Sequence, residues 1–325
     1  MTGRPLTIAL RTYPYTSAIK SGEIKVDGAE LDFIDVNPHI GAFRRMVRDL
    51  EFDLCELAPT TYMIARAHGV PIIALPIFFV RRFHHQGLVT RPESHIGGPK
   101  DLEGKRVGVR AYSVTTGVWK RGLLQNEYGV DIDKVTWVVD DEEHVDAMTL
   151  PRNVVHVPEG QSLASMIGDG GIDAGCTGDA GVGRAGAPGK DWNANAPVLP
   201  DNLTELFPDH ARLDRDVFAK NGVYPIHGCL AIKEEHIRNN PDLGQAIFDA
   251  FSAAKAPYLD ALKAGTATGK QAQKDLKLMQ IVDDPIPYGL ENNRASIEAL
   301  IKYGCQQGLI PRSYAAEDMF LPLNA

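Results

Sequence analysis

Basic side chains cluster directly after an apolar segment, in the stretch FFVRRFHHQG at residues 78–87. Arg81, Arg82, His84 and His85 surround a single phenylalanine there. An arginine binds a carboxylate through two parallel N–H groups, and a histidine can move a proton near neutral pH. The stretch therefore indicates acid–base chemistry on an acidic substrate, with both histidines as catalytic candidates and both arginines as substrate-binding candidates.

Two alternatives for this stretch stay open. Side chains alternate along an extended chain, so the four cannot all face one ligand, and the stretch can instead be a solvated strand end with one ion pair. A metal site is the weaker alternative, with Glu56, Asp179 or His227 as distant ligands, because adjacent histidines rarely bind one ion and arginines repel cations. We therefore predict neither a metal nor another cofactor.

Hydroxyl side chains mark a second candidate site, in the stretch RAYSVTT at residues 110–116. Ser113, Thr115 and Thr116 stand at the start of a predicted helix, where hydroxyls and unpaired backbone N–H groups can hold a carboxylate or a phosphate. Arg110 adds a side chain that can grip a carboxylate in two places. The simpler alternative is that Ser113 or Thr115 only caps the helix. This stretch contains neither of the glycine-rich nucleotide-binding motifs.

The elements that must position these residues alternate between short β-rich segments and amphipathic helices, which is typical of α/β proteins. A strand–helix–strand unit is predicted over residues 105–139, followed by a loop from about Gly178 to Pro200 and a mainly helical C-terminal third. In an open α/β sheet, ligands bind beyond the carboxyl ends of the strands. That rule selects five loops: 11–16, 56–61, 81–85, 110–116 and 176–181.

Further candidates come from these loops and from the start of a later strand: Arg11, Tyr13, Glu56, Tyr112, Asp179 and His227. Asp179 in TGDAG fits as a partner for an arginine or a histidine, and the alternative is a plain turn. His227 in YPIHGCLAI borders a predicted strand, and a structural histidine is the alternative there. No GxSxG motif supports a serine nucleophile.

The composition limits the class of protein. The 325 residues carry a net charge of -8, which argues against a nucleic-acid partner. No segment approaches the roughly 20 apolar residues that span a bilayer, and the first residues lack the apolar core of a signal peptide. We therefore predict a cytoplasmic protein that binds a small acid and has no membrane partner, and a homo-oligomer stays open.

The length favours two lobes, since single hydrophobic cores stop growing near about 250–300 residues. We predict that lobe 1 contains residues 1–90 and 226–325 and that lobe 2 contains residues 91–225. Two lobes make a cleft the expected binding site.

Several motifs resemble those of the 4,5-dihydroxyphthalate decarboxylase family, and the resemblance covers nearly the whole chain. Its most specific motifs are GVWKRGLLQ and PYGLENNR, and it also includes FDLCELAPTTYMIAR, LPIFFVRRFHHQGLVTR and YPIHGCLAIKEE. The resemblance implies an α/β, two-lobed fold of the type II periplasmic-binding-protein-like kind, with a hinge and a central cleft for the substrate. It also implies loss of one carboxylate from a catechol-type aromatic diacid, as in conversion of 4,5-dihydroxyphthalate to protocatechuate.

Several positions depart from the family pattern where the substrate is expected. Val80 replaces a serine and His84 replaces an arginine, while residues 110–113 read RAYS where relatives have PEYQ. The histidine expected near Pro225 is displaced to His227. Another enzymatic transformation of a hydroxylated or heterocyclic ring acid is therefore an alternative, as is a non-catalytic organic-acid binding protein of a transporter.

Decarboxylation of an arene sets the chemistry that the site must supply. Direct loss of CO2 would leave an unstable aryl anion, so the ring carbon is protonated first, with electrons from a phenol oxygen, and CO2 then leaves. We expect His85 to be the acid and His84 or His227 to contact the phenol. The residues expected to bind carboxylates are Arg81, Arg82, Arg110, Ser113, Thr115 and Thr116, and those expected to flank the ring are Tyr13 and Tyr112.

Overall fold

The computed structural model describes residues 4–184 and 198–324. Within them the chain divides into two compact units, each assembled from separate segments. Unit 1 comprises the described residues up to Arg82, Ile226–Glu298 and those from Tyr314 onward, and unit 2 comprises the described residues of Phe83–Pro225 and Ala299–Ser313. The lobe boundaries given above stay a prediction.

Eleven short strands, most of them apolar, occur in the part of the chain that the structure describes. In chain order they are β1 (Leu6–Ala9), β2 (Leu31–Phe33), β3 (Leu54–Leu57), β4 (Ile72–Phe78), β5 (Leu88–Thr90), β6 (Arg106–Gly108), β7 (Thr136–Val139), β8 (Val154–His156), β9 (Ala174–Cys176), β10 (Thr204–Glu205) and β11 (Cys229–Lys233). They form two sheets, one in each unit.

Helices connect and cover these strands, and eleven α-helices occur within residues 4–184 and 198–324. In chain order they are α1 (Ser17–Lys20), α2 (Ile40–Asp49), α3 (Pro59–Ala67), α4 (Thr115–Tyr128), α5 (Leu163–Asp169), α6 (His210–Asn221), α7 (Glu234–Asn239), α8 (Leu243–Lys263), α9 (Gly269–Leu278), α10 (Arg294–Gln306) and α11 (Ala316–Met319). Helix α4 connects the parallel strands β6 and β7, which confirms the predicted strand–helix–strand unit. The two sheets with their helices confirm the predicted α/β class.

Unit 1 contains a five-stranded mixed sheet in the order β2-β1-β3-β11-β4. Strands β2, β1 and β3 are parallel, and β11 runs antiparallel to both of its neighbours, β3 and β4. The carboxyl ends of β1, β3 and β4 therefore share one edge of the sheet with the start of β11. That edge carries the candidate residues of unit 1.

The apolar face of α8 covers this sheet. Leu243, Ile247 and Phe251 of α8 belong to one buried cluster with Leu54 of β3 and Leu230 of β11. Burial of each such side chain contributes about 1.5–3 kcal/mol. The core therefore fixes the strand ends from which the candidate side chains project.

Unit 2 contains a six-stranded sheet in the order β10-β5-β9-β6-β7-β8. Strands β9, β6, β7 and β8 are parallel, and β5 runs antiparallel to β9 and β10. Val138, Leu163 and Ile172 belong to its buried core. Because of these directions, the residues before β5 and those after β6, β7 and β9 lie at the same edge of the sheet.

Helix α6 was not predicted from the sequence. Its buried residue is Asp214, and most of its other residues are charged or partly exposed, so it lacks a continuous apolar stripe. Of the loop predicted from about Gly178 to Pro200, Gly178–Ala180 forms a short 3-10 turn, and residues 185–197 lie outside the described residues.

Candidate active site

Unit 2 contains a pocket of about 360 Å³, counting the space that opens to solvent. Its walls are mainly apolar: Phe83, Trp119, Leu123, Val217, Val223, Pro225 and Tyr303. Polar side chains come from His84, His85, Asp214 and Asn221. Apolar walls with a few polar groups are typical of small-molecule sites. Two histidines singled out from the sequence therefore line one pocket.

His85 is buried, and both of its ring nitrogens are hydrogen-bonded. Nδ1 lies 2.5 Å from Asp214 Oδ1, and Nε2 lies 2.8 Å from the Tyr128 hydroxyl. A neutral imidazole donates from one nitrogen and accepts at the other, so the Asp214 carboxylate places the N–H on Nδ1 and leaves Nε2 to accept from Tyr128. A carboxylate that orients a histidine in this way is typical of acid–base sites.

His84 lies on the pocket wall against Trp119 of α4. The two rings are nearly parallel, with an interplanar angle of 10° and centroids 6.3 Å apart. The next residue of α4, Lys120, donates to the carbonyl oxygens of His84 at 2.9 Å and Gln86 at 2.5 Å. The ammonium therefore holds the backbone on both sides of His85, in a segment without regular secondary structure.

Three helices assemble the pocket with the segment before β5. Gly122 of α4 faces Tyr303 of α10, and a methyl group on that glycine would overlap the tyrosine ring. Trp119 meets the same ring edge-on, with centroids 5.7 Å apart. Asp214 comes from α6. The pocket therefore depends on close packing of elements that are distant in sequence.

The hydroxyl of Tyr128 completes a hydrogen-bonded chain with His85 and Asp214. Burial raises the pKa of the Tyr128 phenol, and the negative charge of Asp214 raises it further. The hydroxyl therefore keeps its proton at neutral pH and can donate it to Nε2 of His85. The chain leads from a buried carboxylate to a half-buried phenol.

The predicted anion site before α4 holds a carboxylate of the protein itself. The backbone N–H groups of Tyr112 and Ser113 donate to Glu143 at 2.7 and 3.1 Å, and the Ser113 hydroxyl donates to the same carboxylate. Thr115 is buried at the first residue of α4, and Thr116 is half-buried. The turn thus has carboxylate-binding geometry, and a ligand carboxylate there has to replace Glu143.

Arg121 of α4 supports this turn from the interior of unit 2. Its guanidinium donates to the Tyr112 carbonyl and, through Nε, to the Gln307 side chain at 2.9 Å. The guanidinium carbon also lies 3.9 Å from the centroid of the Tyr112 ring. Burial lowers the pKa of this arginine. Tyr112 is therefore packed against a buried cation and is 2% exposed.

Arg110 and Asp179 lie at the same edge of the unit 2 sheet. Arg110 is buried and pairs with Asp141, with 3.4 Å between Nη1 and Oδ2. Asp179 is exposed in the short turn Gly178–Ala180. Arg110 therefore has a carboxylate of the protein beside it in this structure.

Glu56 is the centre of the candidate group in unit 1. This buried carboxylate accepts hydrogen bonds from Nε of Arg11 at 2.9 Å and from the Tyr13 hydroxyl at 2.6 Å, and Nε2 of His39 lies 3.7 Å from it. Burial by itself would raise the pKa of Glu56, but the charges of Arg11 and His39 outweigh that effect and lower it. Glu56 is therefore a buried anion with several donors.

The Tyr13 ring forms part of an aromatic stack in unit 1. Tyr15 lies on it at a centroid distance of 5.0 Å and Phe79 at 5.6 Å, both with interplanar angles of 7°. Tyr13 is 8% exposed. Its ring position is therefore fixed by neighbours of its own unit.

The two predicted arginines of the opening stretch differ in environment. Arg81 is buried, hydrogen-bonds the side chain of Asn293 and lies over the Phe78 ring at 5.2 Å, whereas Arg82 is exposed. His227 is buried as well. These residues belong to unit 1, whereas the two pocket histidines belong to unit 2. Among the described residues that line the pocket, none is an arginine.

Three functional candidates were missed from the sequence: Tyr128, Glu143 and Asp214. Asp214 lies on a helix without an apolar stripe, and Tyr128 is simply the last residue of α4, so neither carries a local signal. A signal existed for Glu143, because the acidic run DDEE at residues 140–143 directly follows β7. The rule that selects loops after strands would have included it.

Residues 4–184 and 198–324 contain no cluster of three or more histidine, cysteine, aspartate or glutamate side chains arranged to hold a metal ion. The helices of these two ranges include none that is both long and apolar enough to cross a membrane. The expectation of no cofactor stays a prediction.

The fold is similar to that of a solved periplasmic binding protein. The chain aligns with the periplasmic aliphatic sulphonate binding protein SsuA from Escherichia coli over 98% of both chains, at 12% identity and a TM-score of 0.53. The family model described as NMT1/THI5 like matches residues 28–158. The protein is therefore an α/β protein of the periplasmic-binding-protein-like fold, as predicted.

Sequence relatives identify the family within that fold. The chain is 28% identical to a 4,5-dihydroxyphthalate decarboxylase from Comamonas testosteroni, over 98% of this chain and 97% of the relative. It is 33% identical to a 4,5-dihydroxyphthalate decarboxylase from Pseudomonas putida, over 52% of this chain and 68% of the relative. The chain belongs to the 4,5-dihydroxyphthalate decarboxylase family, whose named members are carboxy-lyases, which confirms the resemblance seen in its motifs.

Proposed function

We propose that the protein decarboxylates a hydroxylated aromatic dicarboxylic acid, such as 4,5-dihydroxyphthalate, to protocatechuate. Family membership supports the reaction class. The observation that carries the proposal for the site is the 2.5 Å contact between His85 and Asp214 in the wall of an apolar pocket. Aromatic decarboxylation needs an apolar surface for the ring and a proton donor beside it, and this pocket combines the two.

His85 is the proton donor in this proposal, in its imidazolium form, which carries a proton on both ring nitrogens. Asp214 holds the imidazole in one orientation, and the ring exchanges its Tyr128 contact for the substrate when it donates. The Nε2–H bond then breaks as a C–H bond forms at the carbon that carries the leaving carboxylate, with electrons supplied by the phenol. The bond to the carboxylate breaks next, its electron pair returns to the ring, and CO2 leaves. The reaction takes up one proton and needs no oxidant or reductant.

The remaining roles follow from position in unit 2. His84 contacts the substrate phenol from the pocket wall. The turn at Tyr112 and Ser113, with Arg110 beside it, binds the carboxylate that stays on the ring, after Glu143 is displaced. This turn directly precedes α4. Trp119 of the pocket wall lies about one helical turn, or about 6 Å, beyond the first residue of α4, so the turn and the pocket are near each other along the helix. The roles of the unit 1 candidates stay predictions.

Turnover of 4,5-dihydroxyphthalate in D2O tests this function. The wild-type protein is expected to release CO2 and to place one deuterium on the carbon that lost it. His85→Ala is expected to lower kcat by about 10²-fold, whereas His68→Ala, which changes an exposed histidine of unit 1, is the matched control. Thermal stabilisation by the diacid without CO2 release would support the binding-protein alternative. A different product would support another ring-acid enzyme.

A further inference from the structure

Each decarboxylation consumes one proton, so the acid that donates it must be reloaded once per turnover. This inference rests on the proposed function, in which His85 is that acid. His85 is 1% exposed, so water has little access to its ring. A path for the replacement proton has to lead through side chains that contact the imidazole.

The contacts of the His85 ring limit this path. Nδ1 faces Asp214, whose side chain is 9% exposed. The rings of Phe207 and Tyr128 stand perpendicular to the imidazole at centroid distances of 5.2 and 5.8 Å. Within the described residues, the remaining hydrogen bond of the ring joins Nε2 to the Tyr128 hydroxyl at 2.8 Å. Asp214 is buried, whereas Tyr128 is half-buried, so Tyr128 is the more exposed of the two partners.

Tyr128 has the properties that a proton relay requires. It is half-buried at the end of α4, so part of the residue reaches water. A phenol hydroxyl both donates and accepts, so it can give its proton to Nε2 while taking another from solvent. The charged groups that act on it are Asp214, Arg212 and Asp216 of α6 and Glu127 of α4, and three of these four are acidic. Their net effect keeps the phenol protonated, as a relay needs to be at rest.

We propose that Tyr128 is a positioning residue that relays protons from solvent to His85 after each turnover. The O–H bond of Tyr128 breaks as the Nε2–H bond forms, and the phenol oxygen takes a proton from a solvent or buffer acid in the same exchange. One proton thus passes from solvent to the imidazole for each CO2 released. The tyrosine makes no contact with the substrate in this scheme.

Tyr128→Phe removes the hydroxyl and keeps the ring that packs on Phe207 at 5.0 Å. Because reloading follows CO2 release, the variant is expected to lower kcat by about tenfold or more while kcat/KM stays unchanged, and to raise the solvent deuterium isotope effect on kcat. Tyr258→Phe is the matched control, because it removes a phenol bonded to a carboxylate, Asp275, in unit 1. A wild-type kcat in Tyr128→Phe, or an equal loss in kcat and kcat/KM, overturns the relay.

Proton exchange separates this inference from the proposed function. The imidazolium form of His85 carries a proton on both ring nitrogens, and NMR can follow the exchange of its Nε2 proton with water in the absence of substrate. The relay predicts severalfold slower exchange in Tyr128→Phe and unchanged exchange in Tyr258→Phe. Slower exchange in a protein that releases no CO2 would support the Tyr128 path to His85 and reject the decarboxylase function. Unchanged exchange in Tyr128→Phe overturns the relay whatever the turnover shows.

Discussion

His85 and Asp214 form the residue pair on which the proposed chemistry depends. The carboxylate lies 2.5 Å from Nδ1 and belongs to a helix 129 positions further along the chain. Residue types around Phe83 were enough to predict a histidine site, because arginine and histidine clusters are chemically distinctive. The partner of His85 was beyond prediction, because a single aspartate among the many of an acidic protein has no local signature.

Asp214→Asn tests whether the carboxylate of this residue orients the His85 ring. An asparagine keeps the size of the side chain, but it removes the charge and can present an N–H group to Nδ1, so the imidazole loses its fixed orientation. We expect kcat to fall by about 10²-fold in steady-state kinetics, with the fold retained in circular dichroism. Asp216→Asn changes an exposed carboxylate on the same helix and is expected to leave kcat unchanged. Equal rates in the two variants would contradict the role of Asp214.

Glu143→Ala tests whether the turn at Tyr112 and Ser113 binds the substrate. The glutamate takes both backbone N–H groups of the turn, so a substrate carboxylate has to compete with it. We expect KM to fall by severalfold with kcat nearly unchanged, and the free energy of unfolding to fall by about 1–3 kcal/mol because hydrogen bonds to a charged group are lost. Glu142→Ala, at the adjacent exposed position, is the control. An unchanged or higher KM would remove the turn from the substrate site.

At the scale of elements, the sequence was most informative where hydrophobic periodicity was strong. Helix α4 was predicted to begin near Ser113 and Thr115, and it begins at Thr115 and ends before Gly129, which takes a left-handed conformation with φ 66°. Helix α6 was missed, because it buries an aspartate in place of an apolar stripe. Periodicity detects helices that cover a core, whereas a helix that supplies a polar partner to a site does not produce that pattern.

The close contact between α4 and α10 predicts that a larger residue at Gly122 destabilises the fold. A Cβ on Gly122 would overlap the ring of Tyr303, which also lines the pocket. We expect Gly122→Ala to lower the free energy of unfolding in urea by about 1–3 kcal/mol and to reduce turnover. Gly98→Ala is the control, because that glycine has an extended backbone and no atom within 4 Å of an added Cβ. Equal stability of the two variants would show that the helices adjust without cost.

Glu56, at the edge of the unit 1 sheet, is expected to make the free energy of unfolding depend on pH. The pKa of Glu56 is lower in the fold than its ordinary value, because Arg11 and His39 outweigh the effect of burial. Such a group stabilises the fold above its unfolded pKa, about 4.3, and this stabilisation is lost as the pH falls through the folded pKa. We therefore expect urea unfolding of Glu56→Gln to show a weaker loss of stability below about pH 4 than the wild type. Glu23→Gln, at an exposed glutamate, should keep the wild-type slope, and the same slope in Glu56→Gln would contradict the account.

For the whole molecule, the motifs predicted both the fold and the family, and the comparisons confirm both. The candidate site was predicted only in part. His84 and His85 line one pocket. The turn predicted to bind anions, however, holds Glu143, which was not among the predicted site residues. Competition between an internal carboxylate and a ligand depends on tertiary contacts, which residue types and spacing do not reveal. The cytoplasmic location and the homo-oligomer stay predictions.

The reaction that we propose is decarboxylation in the histidine pocket. Its most direct test is chromatography of the purified protein incubated with 4,5-dihydroxyphthalate and a panel of hydroxylated benzoic acids, with and without chelator. We expect the wild type to convert the diacid to protocatechuate with one CO2 per product, and His85→Ala to leave the diacid almost unchanged. Recovery of the intact diacid from the wild type would contradict this reaction, and undiminished conversion by His85→Ala would contradict the role of His85 in it.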